Sequence, residues 1–329
     1  MPEIELSAGT IEYEDSGPPP GGSGAASGRG DASAGDVAFG RADAPGGGEV
    51  PTVVLLHGLL MNATVWREVA PALAAHCRVI APTLPLGGHR RAMRADADLS
   101  LPAMVRLLTE LLEALDLRDV VLVSNDWGGA LLLGDVPGGL DRVGRLAITP
   151  SEAFDNFPPG INGRLAQLAG KGGPLGVKLA LQPLALRPLR RFPLLFGWMS
   201  KRPLPHALTD GWFAPILHDH AIRRDLAKYA GGPLDRAWTA RATERLRAFD
   251  RPALVLWARE DKLMPRDHGR RLAELLPHAR LVEVDDSRTL MQLDRPQLVR
   301  EELLAFATAT TPAAAPAATP EEPADAARA

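Results

Sequence analysis

The chain has 329 residues, with 37 Lys or Arg against 40 Asp or Glu and a formal net charge of −3, so no global charge draws it toward nucleic acid. No uncharged apolar run reaches the roughly 18–20 residues of a membrane span, and the acidic start Met1-Pro2-Glu3-Ile4-Glu5 is unlike a secretory leader. A single cysteine, Cys77, excludes an internal disulfide, and the expectation is a cytoplasmic protein with no stable membrane insertion.

Two short strand-like runs, Ile4-Leu6 and Thr10-Tyr13, flank Gly9 and predict a hairpin within residues 1–16. Residues 17–49 hold 11 Gly and 4 Pro, which predicts a disordered insertion. Strand-like and helix-like runs then alternate: strand 52–57, helix 64–75, strand 78–81, helix 101–115, strand 119–124, helix 128–134 and strand 143–149. The alternation stops from about 153 to 245, then resumes with strand 253–258, helix 267–276, strand 280–285 and helix 296–307. Repeated βα units predict a mostly parallel sheet with helices on both faces. The core is expected at 50–152 and 246–308, a helical cap at 153–245, and a disordered Ala/Pro/Thr-rich tail at 309–329.

One stretch carries chemistry. Val120 to Val123 read as a buried strand, and Asp126 follows at its end, with Ser124 two residues before and Gly128 and Gly129 two and three after. An apolar run, Ala130 to Leu133, comes next. This is the spacing of a nucleophile elbow, in which small neighbours let strand and helix approach around one strained residue. Ser124 fits less well as the nucleophile, because Leu122 and Asp126 would flank it in that register. The plainer alternative is a solvated Asp in a Gly-rich turn. Two other segments stand in order around it: the apolar strand Val53 to Leu56 ending in His57-Gly58, and the strand Ala253 to Ala258 leading into Glu260-Asp261 and Pro265.

Asp126-Trp127-Gly128-Gly129, His57-Gly58 and the acidic loop at Asp261 together resemble the α/β-hydrolase superfamily, in the aspartate-nucleophile branch that includes dehalogenases and epoxide hydrolases. The resemblance implies an α/β-hydrolase fold: a mostly parallel central sheet, helices on both faces and a helical cap. It implies Asp126 as nucleophile, the backbone N–H groups of Leu59 and Trp127 as an oxyanion hole, and Asp261 as orienting acid. His57 would fix its own loop. Glu152, after the strand Arg145 to Thr149, is a second place for the acid, ranked below Asp261. The substrate would be a small molecule, with no metal and no organic cofactor.

The resemblance also implies a histidine on the loop after the strand Ala279 to Val284. Thr289 stands there, preceded by Arg288 where Gly is usual, and His278 is the last histidine of the chain. An Asp carboxylate needs no base to attack an alkyl carbon. Hydrolysing the resulting ester needs an activated water, and a Thr hydroxyl takes no proton at useful pH. His89, in the loop after the strand Arg78 to Ala81, is the substitute base suggested by position, since loops at the carboxyl ends of strands surround the ligand in such sheets. The alternative makes His89 an ordinary hydrogen-bonding loop residue. His76, His206, His268 and His278 read as surface positions, and His218-Asp219-His220 is too little for a metal site.

Epoxide hydrolases of this fold use two cap tyrosines. This chain has two Tyr in all and only Tyr229 falls in the cap range, which favours the dehalogenase-like reading. His57, Asn62, Trp198 and Trp212 are the candidate substrate contacts. Residues 160–250 carry 15 Lys or Arg and 6 Asp or Glu. They read as a solvated basic face, because Pro183, Pro188 and Pro193 preclude a long amphipathic helix; a cap that favours anions or touches a membrane is the other reading. The expected function is hydrolysis through an Asp126 ester with an atypical water-activation step. A ligand-binding pseudo-hydrolase and a lyase using Asp126 as base are the alternatives.

Overall fold

The computed structural model describes residues 1–20 and 50–309. Most of the Gly/Pro-rich stretch (21–49) and of the tail (310–329) therefore lies outside the described residues. One eight-stranded sheet is built from β1 (Glu3–Leu6), β2 (Gly9–Asp15), β3 (Thr52–Leu55), β4 (Arg78–Pro82), β5 (Val120–Asp126), β6 (Val143–Ser151), β7 (Ala253–Ala258) and β8 (Ala279–Val284). Its strand order is β1-β2-β4-β3-β5-β6-β7-β8. The N-terminal hairpin pairs antiparallel and turns at Gly9, whose φ of 140° suits glycine. Every pairing from β4 to β8 is parallel.

The helices are α1 (Ala70–Ala74), α2 (Leu101–Ala114), α3 (Gly160–Lys171), α4 (Gly173–Leu181), α5 (His206–His218), α6 (His220–Gly231), α7 (Arg236–Glu244), α8 (His268–Leu275), α9 (Met291–Asp294) and α10 (Pro296–Thr308). The sheet is buried on both sides, which explains its uninterrupted apolar runs. Side chains alternate between the two faces: Val54, Leu56 and Leu122 pack with α2, while Val53, Leu55 and Val123 pack with α1 and α10.

Two predicted helices take other forms. The run 64–75 divides into a 3-10 turn, Ala63–Trp66, and α1, which restarts with Pro71 in its first turn. Gly128–Asp135 is a 3-10 helix. Gly134 lowers its helix propensity, and Val136 is held extended by the following Pro137, so the run stops before an α-helix is established.

Between β6 and β7 stands a helical insertion, α3 to α7. Its first two helices form a hairpin that turns at Gly173, φ 64°. The hairpin lies against α6 at Gly170 and Gly231, where a Cβ on Gly170 would come within 2.3 Å of the Gly231 nitrogen. The prolines do break the 182–197 segment into three short turns. Basic groups of this region such as Arg164, Lys171, Lys178 and Arg191 are exposed, and exposed leucines share the surface with them. His268 is a correction: it is 3% exposed and stacks edge-on to Phe154, because Gly269 sits directly against the Trp257 ring and draws the start of α8 inward. Cys77 is buried.

Candidate active site

Strand β5 ends at Asp126, whose φ of 59° lies in the left-handed region that non-glycine residues rarely adopt. This strain, about 1 kcal/mol, is held by a tight turn in which the Trp127 N–H donates to the Asn125 carbonyl at 2.7 Å. The turn aims the carboxylate at the loop after β3. There Asp126 Oδ2 accepts the Leu59 N–H at 2.9 Å. Gly58 permits this approach, since a Cβ there would fall 2.0 Å from Oδ2. Gly128 is needed for the same kind of reason, because its Cβ would meet the Glu152 carbonyl at 1.9 Å. Of the two backbone N–H groups expected to form an oxyanion hole, that of Leu59 faces the Asp126 carboxylate, whereas that of Trp127 is engaged inside the turn, which corrects the expectation for Trp127.

Asp261, on the loop after β7, is also buried. Its Oδ1 accepts the N–H groups of Leu263 and Met264, both at 2.8 Å, and the Thr289 hydroxyl at 3.1 Å. Its Oδ2 is buried with no hydrogen-bond partner. Thr289 therefore bonds directly to Asp261, the contact a histidine at that position would make. Asn125 holds this loop in place: its amide donates to the Thr289 carbonyl at 2.8 Å and to Thr149 Oγ1 at 3.0 Å, and its Oδ1 accepts from Gln292 at 2.8 Å. Arg288 donates to the Gly197 carbonyl at 2.8 Å and so ties the loop to the helical insertion.

The other candidates are occupied elsewhere. His57 Nε2 accepts the Leu84 N–H and its Nδ1 donates to the Gly58 carbonyl, both at 2.8 Å, so a neutral ring pins the loop. Burial pushes its pKa down to about 4. His89 Nδ1 accepts the Gly87 N–H at 3.2 Å, which leaves Nε2–H facing Asp225 of α6 at 3.4 Å. Both of its nitrogens are engaged, so neither is free to take a proton from water. Asn62 Oδ1 caps the 63–66 turn through Thr64, and the Trp212 indole donates to the Thr64 hydroxyl at 2.9 Å. Trp198 packs against the core face that holds α1 and α10. The Trp127 indole N–H, in contrast, is buried with the Tyr229 hydroxyl as its polar neighbour.

Three acids share the region, and among the described residues no cation balances them. Burial, and then the charge of Asp261, push Asp126 up to about 7. Burial pushes Asp261 up to about 6, against the pull of its backbone donors. Glu152 is raised well above its ordinary value by burial and by Asp126; its carboxylate faces the Gly128 N–H at 3.4 Å. Tyr229 of α6 is raised by burial and by both Glu152 and Asp126, which marks it as the insertion's contribution to the site. At neutral pH the site holds Asp261 largely ionised and Asp126 about half so, with Glu152 pushed toward its protonated form by burial and by Asp126. Among the described residues no group of three or more His, Cys, Asp or Glu is arranged to hold a metal ion.

Sequence reading named Asp126, Leu59, Asp261 and Thr289, and the fold brings them together. It passed over Asn125 and Gln292. The available signal for Asn125 was an amide ending an otherwise apolar strand.

Residues 53–302 match the model described as the alpha/beta hydrolase family. A haloalkane dehalogenase of Mesorhizobium japonicum is 36% identical over 140 residues, 41% of this chain and 45% of that protein, so the match spans less than half of the relative's length. Solved structures agree in shape. The haloalkane dehalogenase of Bradyrhizobium elkani superposes with a TM-score of 0.66 at 18% identity, covering 92% of this chain and 95% of that one. A thermophilic esterase from Thermogutta terrifontis gives 0.64 at 18% identity, covering 93% and 98%. At such identities the likeness speaks for the fold, and it spans enzymes of different chemistry.

Proposed function

This chain belongs to the alpha/beta hydrolase family, and from that premise we propose that it hydrolyses a small organic substrate bearing a halide-like leaving group, through an ester on Asp126. The observation that carries the reading is the Asp126 carboxylate itself: set at a left-handed turn, with Oδ2 on the Leu59 N–H and the Asp261 charge beside it. Oδ1 attacks the substrate carbon, the carbon–halogen bond breaks, and the halide leaves with the bonding pair. The Trp127 indole N–H, beside the Tyr229 hydroxyl, is the donor available to that halide. Water then attacks Asp126 Cγ, and the developing oxyanion on Oδ2 is met by the Leu59 N–H. Asp261 Oδ2 takes the proton from that water and passes it to the departing alkoxide. The orphaned oxygen and a pKa of about 6 suit it to this work without an imidazole. The helical insertion acts as a cap, with Tyr229 reaching the site from it.

The test is hydrolysis of a haloalkane panel in ¹⁸O-water under single-turnover conditions. The ester route puts ¹⁸O into Asp126, and Asp126→Asn removes both the label and the alkyl adduct. Product without label in Asp126 refutes the ester and favours Asp126 as a general base, a role its pKa of about 7 also suits. Neither adduct nor product points to a binding protein.

A further inference from the structure

Among the described residues, every exposed large apolar side chain other than Met1 lies between positions 161 and 194. Ile161, Leu165 and Leu168 are spaced i, i+4, i+7, so they line one face of α3. The opposite face, Gly163 and Gly170, is buried, with Gly170 against α6. Leu175 and Leu179, exposed by 64% and 67%, line the outer side of α4. Asn162 donates to the Pro193 carbonyl at 3.4 Å, which sets the segment carrying Phe192 beside the start of α3. These exposed side chains cluster on the outside of the insertion, and singly scattered leucines do not account for such clustering.

The charge around it is of one sign. From 156 to 209 there are 8 Lys or Arg and no Asp or Glu, in a chain with 40 acidic residues. Arg164, Lys171, Lys178 and Arg191 are exposed and make no ion pair among the described residues. Apolar side chains flanked by free cations complement a surface that is negative at its rim and apolar beneath, the chemistry of an anionic bilayer. We propose that the outer face of the α3–α4 hairpin, with the adjoining 186–194 segment, docks on anionic lipid. Docking of this kind lies in the interface and requires no spanning helix; none of the described helices is long and apolar enough to cross a membrane. The proposal is independent of the chemistry at Asp126.

The test is flotation of the full chain with phosphatidylglycerol vesicles and with phosphatidylcholine vesicles. Binding is expected on phosphatidylglycerol and is expected to weaken with added salt. Each cation at an anionic surface is worth roughly fivefold, so Lys171→Gln/Lys178→Gln/Arg191→Gln should weaken binding about a hundredfold. Leu168→Gln/Leu175→Gln/Leu179→Gln should weaken it at least as much, with circular dichroism and melting unchanged because these side chains face solvent. Binding that survives both variants overturns the proposal, as does equal or absent binding on the two lipids. Self-association abolished by the leucine variant, without vesicle binding, assigns the face to a second copy and also overturns it.

Discussion

Replacing Asp261 with Asn should separate the two halves of the proposed reaction. The amide retains Oδ1 as acceptor for Leu263, Met264 and Thr289, so the loop keeps its bonds. It places an NH2 group where the unpartnered Oδ2 stands and removes the proton acceptor. Loss of a positioned base costs about 10²–10⁴-fold, or about 3–5 kcal/mol of barrier, in ester hydrolysis alone. Stability should move the other way. The Asp261 pKa is raised from 3.8 to about 6, so the fold favours the protonated acid and penalises its ionised form. That preference is fully expressed below the unfolded pKa and lost as pH rises through the folded one. At about pH 8 the ionised form costs roughly 3 kcal/mol, and Asn relieves it. Rapid quench followed by intact-mass and halide measurement should show one halide released per protein, an alkylated chain accumulating and slow turnover, from a protein more resistant to urea. Turnover equal to the parent, or loss of the halide burst itself, refutes the assignment of Asp261 as base.

Thr289→His puts an imidazole against Asp261 Oδ1 and should speed breakdown of the ester without changing the burst, as read by the same quench series. Gly58→Ala drives a methyl group to 2.0 Å from Asp126 Oδ2; the carboxylate must leave the Leu59 N–H, and alkylation should fall at least about a hundredfold, measured as the burst rate. Asp126 and Asp261 both have raised pKa values, about 7 and about 6, so global stability should fall as pH rises from about 5 to 8, by about 4 kcal/mol from the two groups. Urea midpoints across that range check it, and Asp126→Asn should flatten the slope.

The fold was readable because its signals are local. Apolar runs such as Val53–Leu56 and Val120–Val123 can be buried on both faces only in a parallel sheet under helices, and the small residues around Asp126 announce a close turn before any coordinates are seen. The absence of histidine after β8 was equally plain in the sequence. Which side chains are free to react was decided by tertiary contacts. His89 is committed to Asp225, 136 residues away, and Trp212 to Thr64, 148 residues away. Thr289 faces Asp261, and its backbone is held by Asn125 from 164 residues away. A side chain's hydrogen-bond partner depends on how separate elements pack, and the pKa values of the three acids depend on burial and mutual repulsion that appear only once those elements meet. The chain order of residues therefore determined the sheet and the turn that carries Asp126, while the folded packing decided which side chains are committed to partners and left Asp261 Oδ2 without one.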